Sequence, residues 1–283
     1  MAENNLILNR FFTQNAFSDM FYNDDLSLFD IVIKRYIDDP DNKSNGSLIS
    51  EIYSYMSNEY RNEYFYQNTL LNKLLLGKHS VNTTTALTQI PINKSKADFI
   101  LINGKAVVYE IKTDLDNFER LSTQVGDYYK AFDHVCVVTS ESQFDQACEI
   151  LKDTKVGIYC LTSKETLSMT KRKEPIADDS KLNHTAIFKI LHKSEFENII
   201  HAYYGKLPNA SQVFYYGECL RAFSEIPIDD AYTMFLKELK KRNRIEICYL
   251  DKIPYALKSL IYFLKPSGND WEKINCFLDY THN

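Results

Sequence analysis

Two apolar runs separated by Asn103-Gly104 constrain this chain more than any other feature. Residues 97–102 (Ala-Asp-Phe-Ile-Leu-Ile) and 106–112 (Ala-Val-Val-Tyr-Glu-Ile-Lys) are rich in β-branched and aromatic side chains. An Asn-Gly pair between such runs is the strongest short-range signal for an antiparallel hairpin. Within these otherwise apolar strands stand Asp98, Glu110 and Lys112. Burying an unpaired charge is costly, so the three need an explanation. Side chains alternate along a strand, so Glu110 and Lys112 project to one side while Tyr109 and Ile111 point to the other. A strict two-residue turn would pair position 98 with 109 and send the two carboxylates to opposite faces. A three-residue connection restores the parity. The three charges are therefore either a salt bridge at an exposed strand end or a centre in which two carboxylates share a cation and the lysine handles a nucleophile.

The surrounding pattern places this hairpin in a mixed α/β fold. Residues 18–76 read as helical, with Ile52, Tyr55, Met56, Tyr60, Tyr64 and Phe65 recurring at three- and four-residue steps. Gly77 is a helix stop. Residues 86–92 form a short strand that Pro91 limits. After the hairpin come a helix over about 117–132, a buried strand over 134–139, a helix ending near Lys152 and a strand over 156–161. Ser140 and Gln143 have capping-box spacing before that second helix. Helix, three strands, helix, strand, helix, strand implies a mixed sheet sandwiched by helices. Residues 171–182 are polar and read as a linker or an edge hairpin; the remaining residues, 183–283, read as a mainly helical C-terminal domain.

Taken together, the aspartate, eleven intervening residues and Glu110-Ile111-Lys112, after a helix and before a helix–strand unit, resemble the PD-(D/E)XK nuclease superfamily of restriction-endonuclease-like, Holliday-junction-resolvase-like and RecB-like enzymes. Ala97 stands where the formal motif has proline. The resemblance covers about residues 45–162 and implies an αβββαβ restriction-endonuclease-like core over 45–170, preceded by an N-terminal helical segment over 1–44. It implies Mg²⁺ or Mn²⁺ as cofactor, held by Asp98, Glu110 and the main-chain carbonyl of Ile111, with Lys112 as the catalytic amine. Hard oxygen ligands suit these ions. It also implies a further catalytic glutamate on the preceding helix. Glu63 is nearest in chain position, ahead of Glu59 and Glu51. Gln124 and Tyr128 resemble the QxxxY element of RecB-like nucleases, and with Arg120 they share one helical stripe. Such a stripe suits phosphate and sugar contacts; it is equally what a solvated helix face would present. The expected substrate is nucleic acid, DNA ahead of RNA, with a protein partner or a homodimer served by the C-terminal helices. Bacterial defence or mobile-element biology is the analogous setting. The competing reading is a nuclease fold kept as an inert binding module.

Bulk properties narrow the rest. An apolar fraction of 45% over 283 residues is ordinary for a chain with a real core. Twenty Tyr and 17 Phe fit helix-rich aromatic packing, and equally an AT-rich genome. A net charge of −5 confines any nucleic-acid contact to a local patch, because phosphate contacts need Lys or Arg. The six cysteines show no CxxC pair and no zinc-ligand spacing, which points to reduced thiols. With no membrane-length apolar run and an N-terminus unlike a signal peptide, the expected compartment is the cytoplasm. The basic runs Lys237, Lys240, Lys241, Arg242, Arg244 and Lys171-Arg172-Lys173 could grip phosphate or serve as ordinary surface charge. No GxSxG, Walker A or GxGxxG motif is present.

Overall fold

The computed structural model describes residues 2–77, 83–242 and 247–281. Their contacts divide the chain into two units, residues 1–81 with 245–283, and residues 82–244. The first unit opens with five helices: α1 (Ala2–Phe11), α2 (Gln14–Tyr22), α3 (Ser27–Tyr36), α4 (Asn45–Glu59) and α5 (Glu63–Leu70). Polar residues start three of them. The side chains of Thr13, Ser44 and Asn62 accept the backbone N–H groups of Ala16, Ser47 and Phe65, which satisfies donors that a helix start leaves open. The expected stop at Gly77 follows a wider π-helical stretch, Leu71–Leu76, that continues α5.

The second unit is built on one six-stranded sheet with strands in chain order: β1 (Thr85–Ile92), β2 (Ser95–Asn103), β3 (Lys105–Lys112), β4 (His134–Ser140), β5 (Gly157–Leu161) and β6 (Leu167–Lys173). The first three form an antiparallel meander. Strand β4 runs parallel to β3, β5 parallel to β4, and β6 closes the far edge antiparallel to β5. Pro91 is accommodated because β1 is an edge strand, where a missing ladder donor costs least. The hairpin tip has the odd length: Asn103 pairs with Lys105 across Gly104, whose φ of +73° an L side chain rarely adopts. Helix α6 (Leu121–Tyr128) crosses over between β3 and β4, and α7 (Phe144–Ile150) between β4 and β5. The capping box expected at Ser140 and Gln143 does not form. Gln143 makes no side-chain cap bond, and the Ser140 hydroxyl donates instead to Asp114 Oδ1 at 2.5 Å.

Helices α8 (His184–Ile190), α9 (Lys193–Tyr204), α10 (Gln212–Ser224) and α11 (Ile228–Lys240) complete this unit. Ile187, Phe188, Phe196, Ile199, Phe223 and Phe235 join one apolar core with Ile100, Val108, Val137 and Tyr128. These helices therefore cover the sheet, so the expected boundary between a core ending at 170 and a separate domain from 183 does not fall there. Residues 171–173 belong to edge strand β6. The segment beyond is tied down by Ile176 N–H to the Lys155 carbonyl and Asp178 N–H to that of Asp133, so it links two parts of one unit.

The chain then returns to the first unit with α12 (Ile247–Leu250), α13 (Lys258–Leu264) and α14 (Asp270–Asp279). Asn68 shows why this segment belongs with the N-terminal helices. Its Nδ2 donates to the Tyr255 carbonyl at 2.9 Å, and its Oδ1 accepts from the Ser259 N–H at 2.9 Å. Phe277 packs against Phe21 and Phe29, and Phe12 stacks on Tyr64. The aromatic excess thus serves helix packing. No helix among the described residues is long and apolar enough to cross a membrane.

Candidate active site

The sheet forks at Asp98. The β2–β3 ladder ends at Phe99↔Tyr109, one step short of the position where Asp98 would lie opposite Glu110. Beyond it, residues 95–97 pair with β1 alone, while Glu110, Ile111 and Lys112 pair with β4. The Ile111 N–H is left facing the gap and donates to Asp98 Oδ2 at 2.9 Å. In extended chain a residue's N–H and C=O point to the same side, so the Ile111 carbonyl faces that gap too.

Glu110 and Lys112 project toward the face covered by α6, as the alternation requires, and both are buried: Glu110 is 1% exposed and Lys112 7%. Lys112 Nζ lies 3.0 Å from Glu110 Oε1 and donates to Gln124 Oε1 at 2.9 Å. The Gln124 amide also donates to Glu110 Oε1. The Tyr128 hydroxyl lies 2.5 Å from Glu110 Oε2 and 3.0 Å from the Lys96 carbonyl. Burial pushes the Tyr128 phenol well up, and the negative charges of Glu110 and Asp98 push it further. The phenol therefore keeps its proton and acts as a donor. Gln124 and Tyr128 reach the same carboxylate because they stand four residues apart on α6.

Arg120, the third member of the expected stripe, caps α6 and is exposed; the bonds to Glu110 come from the other two. Glu63 is an exposed residue in the first turn of α5 and belongs to the first unit, whereas Asp98, Glu110 and Lys112 belong to the second. Of the basic runs, Arg242 is spent on a bidentate pair with Glu195, at 2.7 and 2.6 Å, and Lys241 pairs with Glu238. Arg244 lies outside the described residues. Arg172 stacks over the Tyr159 ring at 4.1 Å, and Lys173 Nζ donates to the Leu151 and Thr154 carbonyls.

Three further acids, Asp127, Asp114 and Asp116, fasten the segments that flank these residues. Asp127 is buried and fastens the β1–β2 turn to α6: it accepts from Asn93 Nδ2 at 2.5 Å, Ser95 Oγ at 2.8 Å and Lys130 Nζ at 2.8 Å. Burial alone would raise its pKa; the bonds from Lys130, Asn93 and Ser95 outweigh that and lower it to about 2. Asp114 gathers the hydroxyls of Ser140 and Ser142 beyond the ends of β3 and β4. Asp116 Oδ2 accepts from the backbone and hydroxyl of Thr113. None of the three carries a cue in sequence: in α6 the apolar stripe Leu121, Val125 and Tyr128 runs unbroken past Asp127.

The donor chemistry of the fork, two carboxylates and a main-chain carbonyl, suits a hard divalent ion. Among the described residues no three His, Cys, Asp or Glu side chains gather to hold a metal. A cation here would be of the kind held by one or two carboxylates, with water and substrate oxygens completing its shell.

A family described as Bacteriophage P4 protein cII matches residues 56–255, well over half of the 283. The chain belongs to the bacteriophage P4 protein cII family. The matched span takes in all six strands of this cII-family chain and every residue of the fork. Neither the curated proteins nor the solved structures compared with it give a match.

Proposed function

We propose that this protein is a divalent-metal-dependent nuclease with a PD-(D/E)XK-type centre at Asp98, Glu110 and Lys112. The observation that supports the reading is a buried Lys112 Nζ 3.0 Å from Glu110 Oε1, with Asp98, where β2 parts from β3, accepting the N–H of Ile111, the residue between them. Element order supports the reading: three antiparallel strands, a helix and a parallel strand follow one another in the second unit, as an αβββαβ core would require after its first helix.

In this reading Asp98, Glu110 and the Ile111 carbonyl hold Mg²⁺ or Mn²⁺. When bound, such an ion would supply Lewis-acid chemistry at the phosphate, lowering the pKa of water there and offsetting negative charge. Lys112 orients the attacking water and neutralises charge that develops on the phosphoryl oxygens as the P–O bond to the leaving oxygen breaks. Gln124 holds Lys112 and Glu110 in register, and Tyr128 fixes the other Glu110 oxygen. Arg120, exposed at the start of α6, contacts the phosphate backbone. The substrate is DNA ahead of RNA, and the net charge of −5 keeps the contact local.

A second reading also has a specific observation behind it. Three donors already occupy the oxygens of Glu110, as they would in an inert nuclease-fold module whose network only stabilises the sheet. Cleavage assays separate the two. The wild-type protein should cut a panel of single- and double-stranded DNA and RNA in Mg²⁺ or Mn²⁺ and not in EDTA. Folded Asp98→Ala and Lys112→Ala variants should lose that activity. Wild-type rates in either variant would end the nuclease reading, as would an inert wild-type protein that also shows no Mn²⁺ heat in calorimetry.

A further inference from the structure

We propose that Gln89 is a positioning residue: its left-handed backbone turns the β1–β2 ribbon by half a period and aims the Asp98 carboxylate into the gap between β2 and β3. Its catalytic consequence rests on the nuclease reading above; its geometric consequence does not.

The non-glycine residues with positive φ are Asp24, Asn42, Gln89, Asn93, Glu165 and Lys265. Among the described residues, Gln89 alone of these lies inside a strand, with φ of +55°. For a residue other than Gly, Asn or Asp this conformation is disfavoured, and such residues collect where function demands them. The register Thr88↔Phe99 and Ile90↔Ala97 puts Gln89 opposite Asp98.

The side-chain alternation slips at that pair, in both strands. On one side of it, Leu87, Ile100 and Ile102 belong to the core beneath the helices; on the other, Ile90, Ile92 and Ala97 do. An even-numbered set on β2 gives way to an odd-numbered one, and on β1 odd gives way to even. A regular strand cannot do this, because its period is two. Without the slip, position 98 would continue the line of Ile100 and Ile102 onto the helix-covered face, opposite Glu110 and away from the Ile111 N–H. With it, Ala97 takes that place, and Asp98 turns to the β2–β3 gap, where it accepts the Ile111 N–H at 2.9 Å. The Thr88 hydroxyl donates to the Asp98 carbonyl at 2.8 Å, supplying a bond at the step where the backbone has rotated.

What matters at position 89 is therefore the backbone conformation. Glycine adopts it freely, asparagine tolerates it, and a β-branched residue resists it. The test compares Gln89→Gly, Gln89→Asn and Gln89→Val in the full chain, with two readouts. One is hydrogen–deuterium exchange at the Ile111 amide by NMR, referenced to the Tyr109 amide in the intact ladder, with Asp98→Ala as the control that frees Ile111. The other is the split of kcat from KM in metal-dependent cleavage. Glycine and asparagine should leave the Ile111 exchange ratio and kcat within about threefold of wild type, whereas valine should change both by roughly tenfold with KM little altered.

Valine without effect on the Ile111 ratio overturns the proposal. So does a loss in both glycine and asparagine variants, which would place the role in the glutamine side chain. Should the valine variant not fold, Thr88→Val against Thr88→Ser reads the same geometry: valine is expected to loosen Ile111 and serine to restore it, and equal exchange in the two overturns the proposal. If Ile111 exchange follows the series while the wild type cleaves nothing, the positioning stands and the nuclease reading falls. The reverse pattern, cleavage with no order in the series, sinks the positioning alone.

Discussion

Replacing Asp127 by asparagine isolates one charge that joins the β1–β2 turn to α6. The folded carboxylate has its pKa lowered from 3.8 to about 2. Each unit is worth about 1.4 kcal/mol of differential stability, so the fall from 3.8 to about 2 corresponds to about 2–2.5 kcal/mol. Little of this is lost to solvent screening, because the side chain is only 5% exposed. The sign follows from proton binding. The folded protein holds this proton less tightly than the unfolded chain, so the contribution is complete above about pH 4 and disappears as the pH falls through about 2. Urea denaturation followed by circular dichroism at several pH values should show Asp127→Asn less stable than wild type by about 2–2.5 kcal/mol at pH 6, with the gap closing toward pH 2. Because the chain has two units, exchange at the Lys94 amide, which donates to Asp127 Oδ2, would assign the loss to this turn. A difference that stays constant across that pH range would refute the reasoning, since it would show that shape and not charge holds the turn.

Two other substitutions probe the same region. Lys112→Met strands Glu110 in a site that is nearly dry, and removing one partner of a buried pair costs about 3–5 kcal/mol. The double variant with Glu110→Gln should recover most of that in a double-mutant cycle, and a single-variant loss below about 1 kcal/mol would mean that water reaches the pair. Gly126 sits inside α6 with open space where a Cβ would stand. Gly126→Ala should therefore stabilise the protein by about 0.5–1 kcal/mol in thermal melts, and destabilisation would show that the helix needs glycine there.

The sheet and half of the candidate site were legible because both rest on local periodicity. Alternation and Asn103-Gly104 located β2 and β3, and parity put Glu110 and Lys112 on one side. A four-residue step put Gln124 and Tyr128 on one helical stripe suited to phosphate contacts, whereas in the structure both bond to Glu110 and Gln124 also to Lys112. What could not be read depends on tertiary choices. Nothing in Thr85–Ile92 announces that Gln89 takes a left-handed backbone, so the slip that turns Asp98 was invisible. Apolar periodicity runs through Leu191 without a sign of the break between α8 and α9, where the chain is extended. Amphipathic helices declare an apolar face without saying what covers it. A single C-terminal domain over 183–283 is therefore what the pattern suggests, although residues 184–240 pack on the sheet and the return of the C-terminal helices rests on bonds such as Asn68 to Ser259, 191 residues apart.

A crystal grown with Mn²⁺ and measured for anomalous scattering reads the central claim directly. An anomalous peak is expected at the β2–β3 fork, within bonding reach of carboxylate oxygens from both Asp98 and Glu110, and absent in Asp98→Ala. A fork that stays free of manganese at saturating concentration, with Glu110 still closed by Lys112, Gln124 and Tyr128, would contradict it.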